Sequence, residues 1–244
     1  MRSLFTPRWL LSHLFVLVMV VVMFGLAVWQ LERRGDRQAE NDEIAAAVAL
    51  TPIEVEQVLA GEEPVVEHRR VVVRGSYLAD SSFLVANRSF QTQAGSWLVT
   101  PVELDDGTVV AVARGWVPRL WVAGTDPRII DTPAEVELVG RVFESVDGGR
   151  IGSGTEDLAE VSRMDLAIVE EALGIDVADV WIQLELQVPE VEDLPIPVPP
   201  PPLGEGPHLS YAFQWFFFSS GAIVVYALIL RRKLRELAKL DGDG

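Results

Sequence analysis

The 244-residue chain carries 36 acidic residues against 20 lysines and arginines, a formal net charge of −16, and has no cysteine. That balance argues against nucleic acid as a partner, and the lack of thiols excludes a disulfide framework, thiolate catalysis and cysteine-ligated metal. With only three histidines, a zinc or copper cage is not expected either.

Residues 1–9 form a short leading segment, and Leu10 to Leu31 then reads as a membrane span. Its only strongly polar side chains are Ser12, His13 and Gln30. Twenty or more apolar residues cross ~30 Å of hydrocarbon at 1.5 Å per residue. Gly25 to Ala27 resembles a small-x-small cleavage site, but the apolar stretch exceeds the 7–15 residues of a signal h-region, so retention of the span is expected. His13 is read as an interfacial polar residue in preference to one facing a partner helix. Glu32 to Leu50 is charged and alanine-rich, either a helical extension or a linker.

A soluble domain over 32–194 follows. Thr51, Pro52 and Glu54 carry the signature of a capping-box start for a short helix through Leu59. Six runs rich in valine or alternating in polarity are predicted strands: Arg70 to Tyr77, Ser82 to Ala86, Ser96 to Val102, Val109 to Val117, Glu135 to Phe143 and Val180 to Val188. Asp105, Asp106 and Gly107 read as a hairpin turn. Asp165 to Leu173 places Leu166, Val169 and Leu173 on one helical face and stops at Gly174. The expected fold is α+β: two transmembrane helices, in sequence before and after one mostly antiparallel sheet or small barrel with one or two short helices.

Other local signals are weak. Gly148 to Gly154 is glycine-rich but lacks the Gly-Lys-Ser/Thr ending of a phosphate loop and reads as a flexible turn. Asn87, Arg88 and Ser89 match a glycosylation acceptor, a pattern that arises by chance, and no function is assigned to it. His68, beside Arg69 and Arg70, is read as a surface residue. Arg114 and Trp116 could shape a docking surface, although a strand tryptophan is more often core.

Residues 195–210 form a proline-rich linker. Seven of the chain's 15 prolines lie between Pro195 and Pro207, which favours a stiff polyproline strut. The second span, Tyr211 to Leu230, leads into a basic tail over 231–244. Trp9, Trp29, Tyr211 and Trp215 sit near the span ends as interfacial anchors. Arg2 and Arg8 precede the first span, and Arg231, Arg232, Lys233, Arg235 and Lys239 follow the second. Positive-inside counting therefore places both termini in the cytoplasm, against the competing Arg33, Arg34 and Arg37. The segment between the spans is then extracytoplasmic, with 13 basic residues, all arginine, against 33 acidic ones. Such a surface is either simply solvated or steers a basic partner.

Two seams fall at the same membrane level. His208, Tyr211, Ala212 and Trp215 share one helical face by their i, i+3, i+4 and i+7 spacing, and Trp29 and Arg33 form an i, i+4 pair. A neutral imidazole can ligate iron, aromatic rings can wall a macrocycle, and arginine can pair with propionates. The same residue types also gather at membrane interfaces merely as anchors. His13 lies sixteen residues, ~24 Å, from Trp29 and could not share one haem with His208 in a monomer.

The residues at these seams belong to three blocks. The first runs from Gly25 through Trp29 and Gln30 to Arg33. The second comprises Arg70, Gly75 and Tyr77, then Asn87 and Arg88, Gly95, Thr100 and Pro101, Asp106 and Gly107, and Arg114 to Pro118. The third runs from His208 to Ala212, with Trp215 and Phe216. In order, spacing and two-span layout the chain resembles the surfeit locus protein 1 family, which assists biogenesis of haem-copper cytochrome c oxidase. The resemblance implies a bacterial cell-membrane protein that helps deliver or stabilise haem a during maturation of the oxidase's catalytic subunit. His208 is then the candidate haem-iron ligand, Trp29, Tyr211 and Trp215 the walls, and Arg33 or Arg34 the propionate partners. The chain departs from the family pattern at Gly35, Asp36 and Arg37 and in its rich proline run. An enzyme is not expected; the competing reading is a permanent accessory subunit of a respiratory complex without a cofactor of its own.

Overall fold

The computed structural model describes residues 6–122, 132–152, 159–191, 194–200 and 202–242. The chain divides into two compact units, residues 1–43 with 202–244, and residues 44–201.

The first unit is built on two long helices, α1 (Pro7–Ala49) and α5 (His208–Gly242). Proline at the first helical position costs no hydrogen bond there, and no other proline interrupts α1. The charged stretch after the first span is therefore a helical extension, and the basic tail continues α5 as helix. Each helix is long and apolar enough to cross a membrane. Most of their large apolar side chains are exposed, among them Leu11, Phe15, Val21, Phe213 and Phe217, a surface suited to lipid rather than water. The least exposed positions follow alternating four- and three-residue steps: Val16, Val20, Met23, Ala27, Gln30 and Arg34 on α1, and His208, Ala212, Trp215, Ser219, Ala222 and Tyr226 on α5. This is the heptad spacing that keeps one seam facing an antiparallel neighbour. Buried Ala27 and Ala212 let the backbones approach. Phe24 meets Phe216 edge-on at 5.5 Å.

In the second unit, β2 (Arg70–Tyr77), β6 (Val136–Glu144), β9 (Val180–Val188), β5 (Val109–Pro118) and β4 (Gln93–Leu104) pair in that order. β4 then returns to β2, with Gly75 opposite Leu104 and Tyr77 opposite Val102, and the ring closes into a small barrel. Alternation turns Val71, Val73, Val102, Val112, Val142 and Ile182 inward as its core. Pairing is antiparallel except for β5 with β9 and two short parallel contacts.

The expected strands are all present, β2 and β9 with the expected bounds and the other four with shifted ends. β3 (Phe83–Phe90) runs four residues past the expected Ala86, through a bulge where Asn87 takes a left-handed φ of 57°. Outside β4, β3 meets the two-residue β8 (Glu160–Val161), which pairs with β7 (Ile151–Gly152). α4 (Leu166–Leu173) closes a second core, with Leu166 and Val169 packed near Phe83, Val99 and Trp181. Asp165 caps it by accepting from the Ile168 N–H, and, as expected, Gly174 ends it, at φ 69°.

Five sequence expectations need correction. The short helix α2 spans Val55–Leu59, because Ile53 and Glu54 (β1) pair with β2 instead of opening the helix, and no side chain caps it. A third short helix, α3 (Arg119–Val122), follows β5. His68 is half-buried, its ring edge-on to Phe143 at 4.8 Å. In the glycine-rich turn the amides are bonded, Gly149 N–H to Asp165 Oδ2 and Arg150 N–H to Ser162 Oγ; Ser153 and Gly154 lie outside the described residues. The proline run is not a free strut from its start. Ile196 exchanges both backbone hydrogen bonds with Trp116, at 2.7 and 2.9 Å, and Gln183 Nε2 donates to Val198 O. Gly115 makes this possible: its φ is 155°, and a Cβ there would run into the Ile196 carbonyl. Pro201 lies outside the described residues, and Pro202 to Pro207 belong with the helices.

Candidate functional site

His208 opens α5, just after a turn set by Gly206 (φ 67°) and Pro207. Its half-buried ring lies on the seam toward α1, with Nδ1 2.9 Å from Gln30 Oε1. An amide oxygen only accepts, so Nδ1–H donates, and the tautomer this contact selects carries its lone pair on Nε2. A second partner that fixes the tautomer and aim of an imidazole is the usual accompaniment of a metal-ligating histidine. The Nε2 edge faces the backbone of Gly206: a Cβ there would stand 3.4 Å from Nε2 and 3.3 Å from Cδ2. With glycine at 206 that edge is bordered by backbone alone, where a side chain would crowd it further.

The segment ahead of His208 is tied to α1. Arg34 places Nε and Nη2 each 2.8 Å from Glu205 Oε2. Gln38 Nε2 donates to Glu205 Oε1 at 2.7 Å, and Asn41 Nδ2 to Gly204 O at 3.4 Å. The Arg34 guanidinium and then Gln38 hold the Glu205 carboxyl below its usual range.

The other candidates surround this core unevenly. Trp215 sits on the seam, and its ring meets Phe218 edge-on at 6.2 Å. Tyr211 and Trp29 are 48% and 46% exposed, on the flanks of their helices. The Arg33 guanidinium lies 5.8 Å from the Trp29 ring centroid and bonds Asp36. Among the described residues, the Trp29 ring meets no ring of α5. Thus the two helices touch, but Gln30 rather than Trp29 meets His208, and Arg34 rather than Arg33 meets the loop. Arg37, whose role the departure at residues 35–37 put in question, pairs with Glu40 on its own helix.

His13 is not merely interfacial. Tyr226 Oη lies 2.7 Å from its Nδ1 and donates to Ser12 Oγ at 3.1 Å, so this end of α1 also faces α5. A polar side chain inside an apolar span gains more from such a partner than from lipid.

In the barrel unit, the residues of the second block hold the fold. Arg114 and Trp116 are each 2% exposed, which removes them from any docking surface. The Arg114 guanidinium lies over the Tyr77 ring at 4.8 Å and donates to Thr132 Oγ1. Trp116 Nε1 donates to Arg88 O, and the Arg88 guanidinium lies over Trp97 at 4.4 Å. Burial pushes the Arg88 guanidinium and the Tyr77 phenol toward their neutral forms, Tyr77 up to about 12. Arg141 is fully buried with Nε 3.0 Å from Glu185, and burial lowers its pKa against that partner's pull. An open pocket of about 430 Å³ at the barrel rim is lined by Arg74, Asp105, Glu135 and Glu137, but Arg74 is already paired with Glu54 and Glu137. No cluster of potential metal ligands occurs among the described residues.

The helical unit therefore holds the site, with one oriented imidazole, one arginine bound by a carboxylate and aromatic flanks. The family model described as the SURF1 family matches residues 17–220, including both seams. The chain is 28% identical to a SURF1-like protein of Mycobacterium tuberculosis over 225 residues, covering 88% of this chain and 80% of that protein. It is 23% identical to a SURF1-like protein of Rickettsia bellii over 243 residues, covering 95% and 98%. With the rat surfeit locus protein 1 it shares 29% identity over 143 residues, 52% of this chain and 46% of the rat protein. With a match that runs from within α1 through the whole barrel unit into α5, the chain belongs to the SURF1 family.

Proposed function

We propose that this chain is a non-enzymatic membrane assembly factor for haem-copper cytochrome c oxidase, binding haem a through His208 and assisting its insertion into the catalytic subunit. The observation that carries this reading is the Gln30–His208 hydrogen bond, which leaves the Nε2 lone pair beside Gly206. The residues present fit the group. His208 would supply a ligand for the iron, Trp215, Tyr211 and Trp29 apolar walls, and Arg34 or Arg33 the cations for the propionates. The redox chemistry resides in the haem; the chain's part is to bind, orient and hand it on. The basic residues at the span ends support a bacterial cell-membrane protein with both termini in the cytoplasm and the barrel outside.

The test is spectroscopic. The full chain purified from cells making haem a is expected to carry a haem spectrum that is lost in His208→Ala, and cells lacking the chain should have oxidase depleted of haem a. A haem-free protein that still restores the oxidase would overturn the haem reading. The half-exposed Trp29 and Tyr211 also favour a protein-packing face, and stoichiometric retention in the mature oxidase would favour the accessory-subunit reading.

A further inference from the structure

The carboxylate on Arg34 has a consequence for how a ligand enters. We infer that Glu205 is an internal stand-in for a ligand carboxylate: an incoming haem propionate displaces it from Arg34 and thereby releases the 204–206 turn from the Nε2 edge of His208. This rests on the proposed haem reading and adds the order of events and the specificity for carboxylate-bearing ligands.

Three observations carry it. The Arg34 guanidinium directs Nε and Nη2 at a single Glu205 oxygen, the interaction a propionate would make. The carboxylate is about half exposed, so a competing anion reaches it without unfolding anything. The residue that follows is Gly206, whose backbone borders His208 Nε2. With the turn held through Glu205 and Gly204 by Arg34, Gln38 and Asn41, the anchors and the guarded atom lie within four residues of chain. Exchanging one carboxylate for another conserves charge on Arg34, so the cost of opening is only that of the loop contacts. A neutral macrocycle gains no such exchange.

The experiment uses the full chain in nanodiscs, with three variants: Glu205→Gln, Gln38→Ala and Arg34→Gln. Diethyl pyrocarbonate modification of His208, read by peptide mass with His68 as internal reference, reports access to the ring without any haem. Haem and its dimethyl ester serve as ligand probes. Glu205→Gln should raise His208 modification and tighten haem binding, each about two- to fivefold, the range of an exposed ion pair; the tightening should vanish with the ester. Gln38→Ala should raise modification while leaving Arg34 in place. Arg34→Gln should also raise modification but weaken haem binding. Unchanged His208 modification in both Glu205→Gln and Gln38→Ala overturns the latch, as does tightening that persists with the ester. Increased modification in a chain that binds no haem in any form leaves the latch standing and removes the haem reading instead.

Discussion

Gln30 is the most discriminating position to perturb, because it touches His208 without being a ligand itself. Gln30→Leu keeps an apolar side chain of comparable bulk at the seam but removes the acceptor 2.9 Å from His208 Nδ1. A single neutral hydrogen bond contributes about 0.5–1.5 kcal/mol net, and a half-buried Nδ1–H left without an acceptor adds a further desolvation cost. Losing the orienting partner of a metal-bound histidine typically weakens the ligand about 10- to 100-fold. The lower end applies here, since the ring is only half-buried and water can replace part of the bond. Haem affinity of Gln30→Leu should therefore fall about tenfold, while Gln30→Glu, which keeps the acceptor and adds charge, should bind at least as tightly as the native chain. Absorbance titration of the full chain in nanodiscs reads both, with His208→Ala as the zero. If Gln30→Leu binds like the native chain while His208→Ala does not bind, the orienting role is refuted and the seam contact is packing alone.

Other expectations concern the scaffold. Tyr77 has its pKa raised from 10.0 to about 12 by burial, so the fold favours the neutral phenol; that stability is complete below pH 10 and is lost as pH rises to 12. The loss amounts to about 2–3 kcal/mol at 1.36 kcal/mol per unit, seen by denaturant titration of the protein between pH 9 and 12 and absent in Tyr77→Phe. Gly115→Ala would push Ile196 off Trp116, forfeiting two backbone hydrogen bonds and about 1–3 kcal/mol, visible as a lowered melting temperature. Tyr226→Phe removes the hydroxyl between Ser12 and His13 and should cost about 0.6 kcal/mol, the mean for such bonds within membranes, measured by unfolding in mixed micelles.

Where local chemistry determined an element, it was legible. β2 and β9 begin and end where their valine-rich runs do, and α4 carries its cap and its stop in Asp165 and Gly174. What escaped depends on partners far along the chain. β3 continues through Asn87 only because β4 accepts it across a bulge, and β7 and β8 are two-residue pairings with no pattern of their own. Composition made the proline run a strut, yet its first half is bound through a peptide group, Trp116 with Ile196, which no side-chain pattern reveals. At the site, spacing placed His208, Ala212 and Trp215 on one face, but could not say what that face meets. Trp29 drew attention as the aromatic of its span, and it lies one residue, about 100° of helix, away from the seam residue Gln30. The signal was present: Met23, Ala27, Gln30 and Arg34 follow the four- and three-residue steps of a helix seam, and Gln30 is the strongly polar member of that series within the span.

On the proposed reading, the unevenness of the site bears on how a ligand would be held. His208 is fixed on the first turn of a rigid helix and aimed from the opposite helix, so the ligating atom needs little ordering when a ligand arrives. The walls are the reverse: Tyr211 and Trp29 are half exposed on the flanks, and the covering turn is held by an exposed ion pair and weak polar contacts. A permanent cofactor site inverts this allocation, burying the macrocycle so that leaving requires opening a core. His208 and Arg34 would hold the haem while the half-exposed Tyr211 and Trp29 stay open to lipid or to an acceptor protein. On release, Glu205 would re-pair with Arg34, so that the guanidinium exchanges one carboxylate for another. On the same reading an acceptor would not need to remodel this chain; it would have only to bind the ligand more tightly.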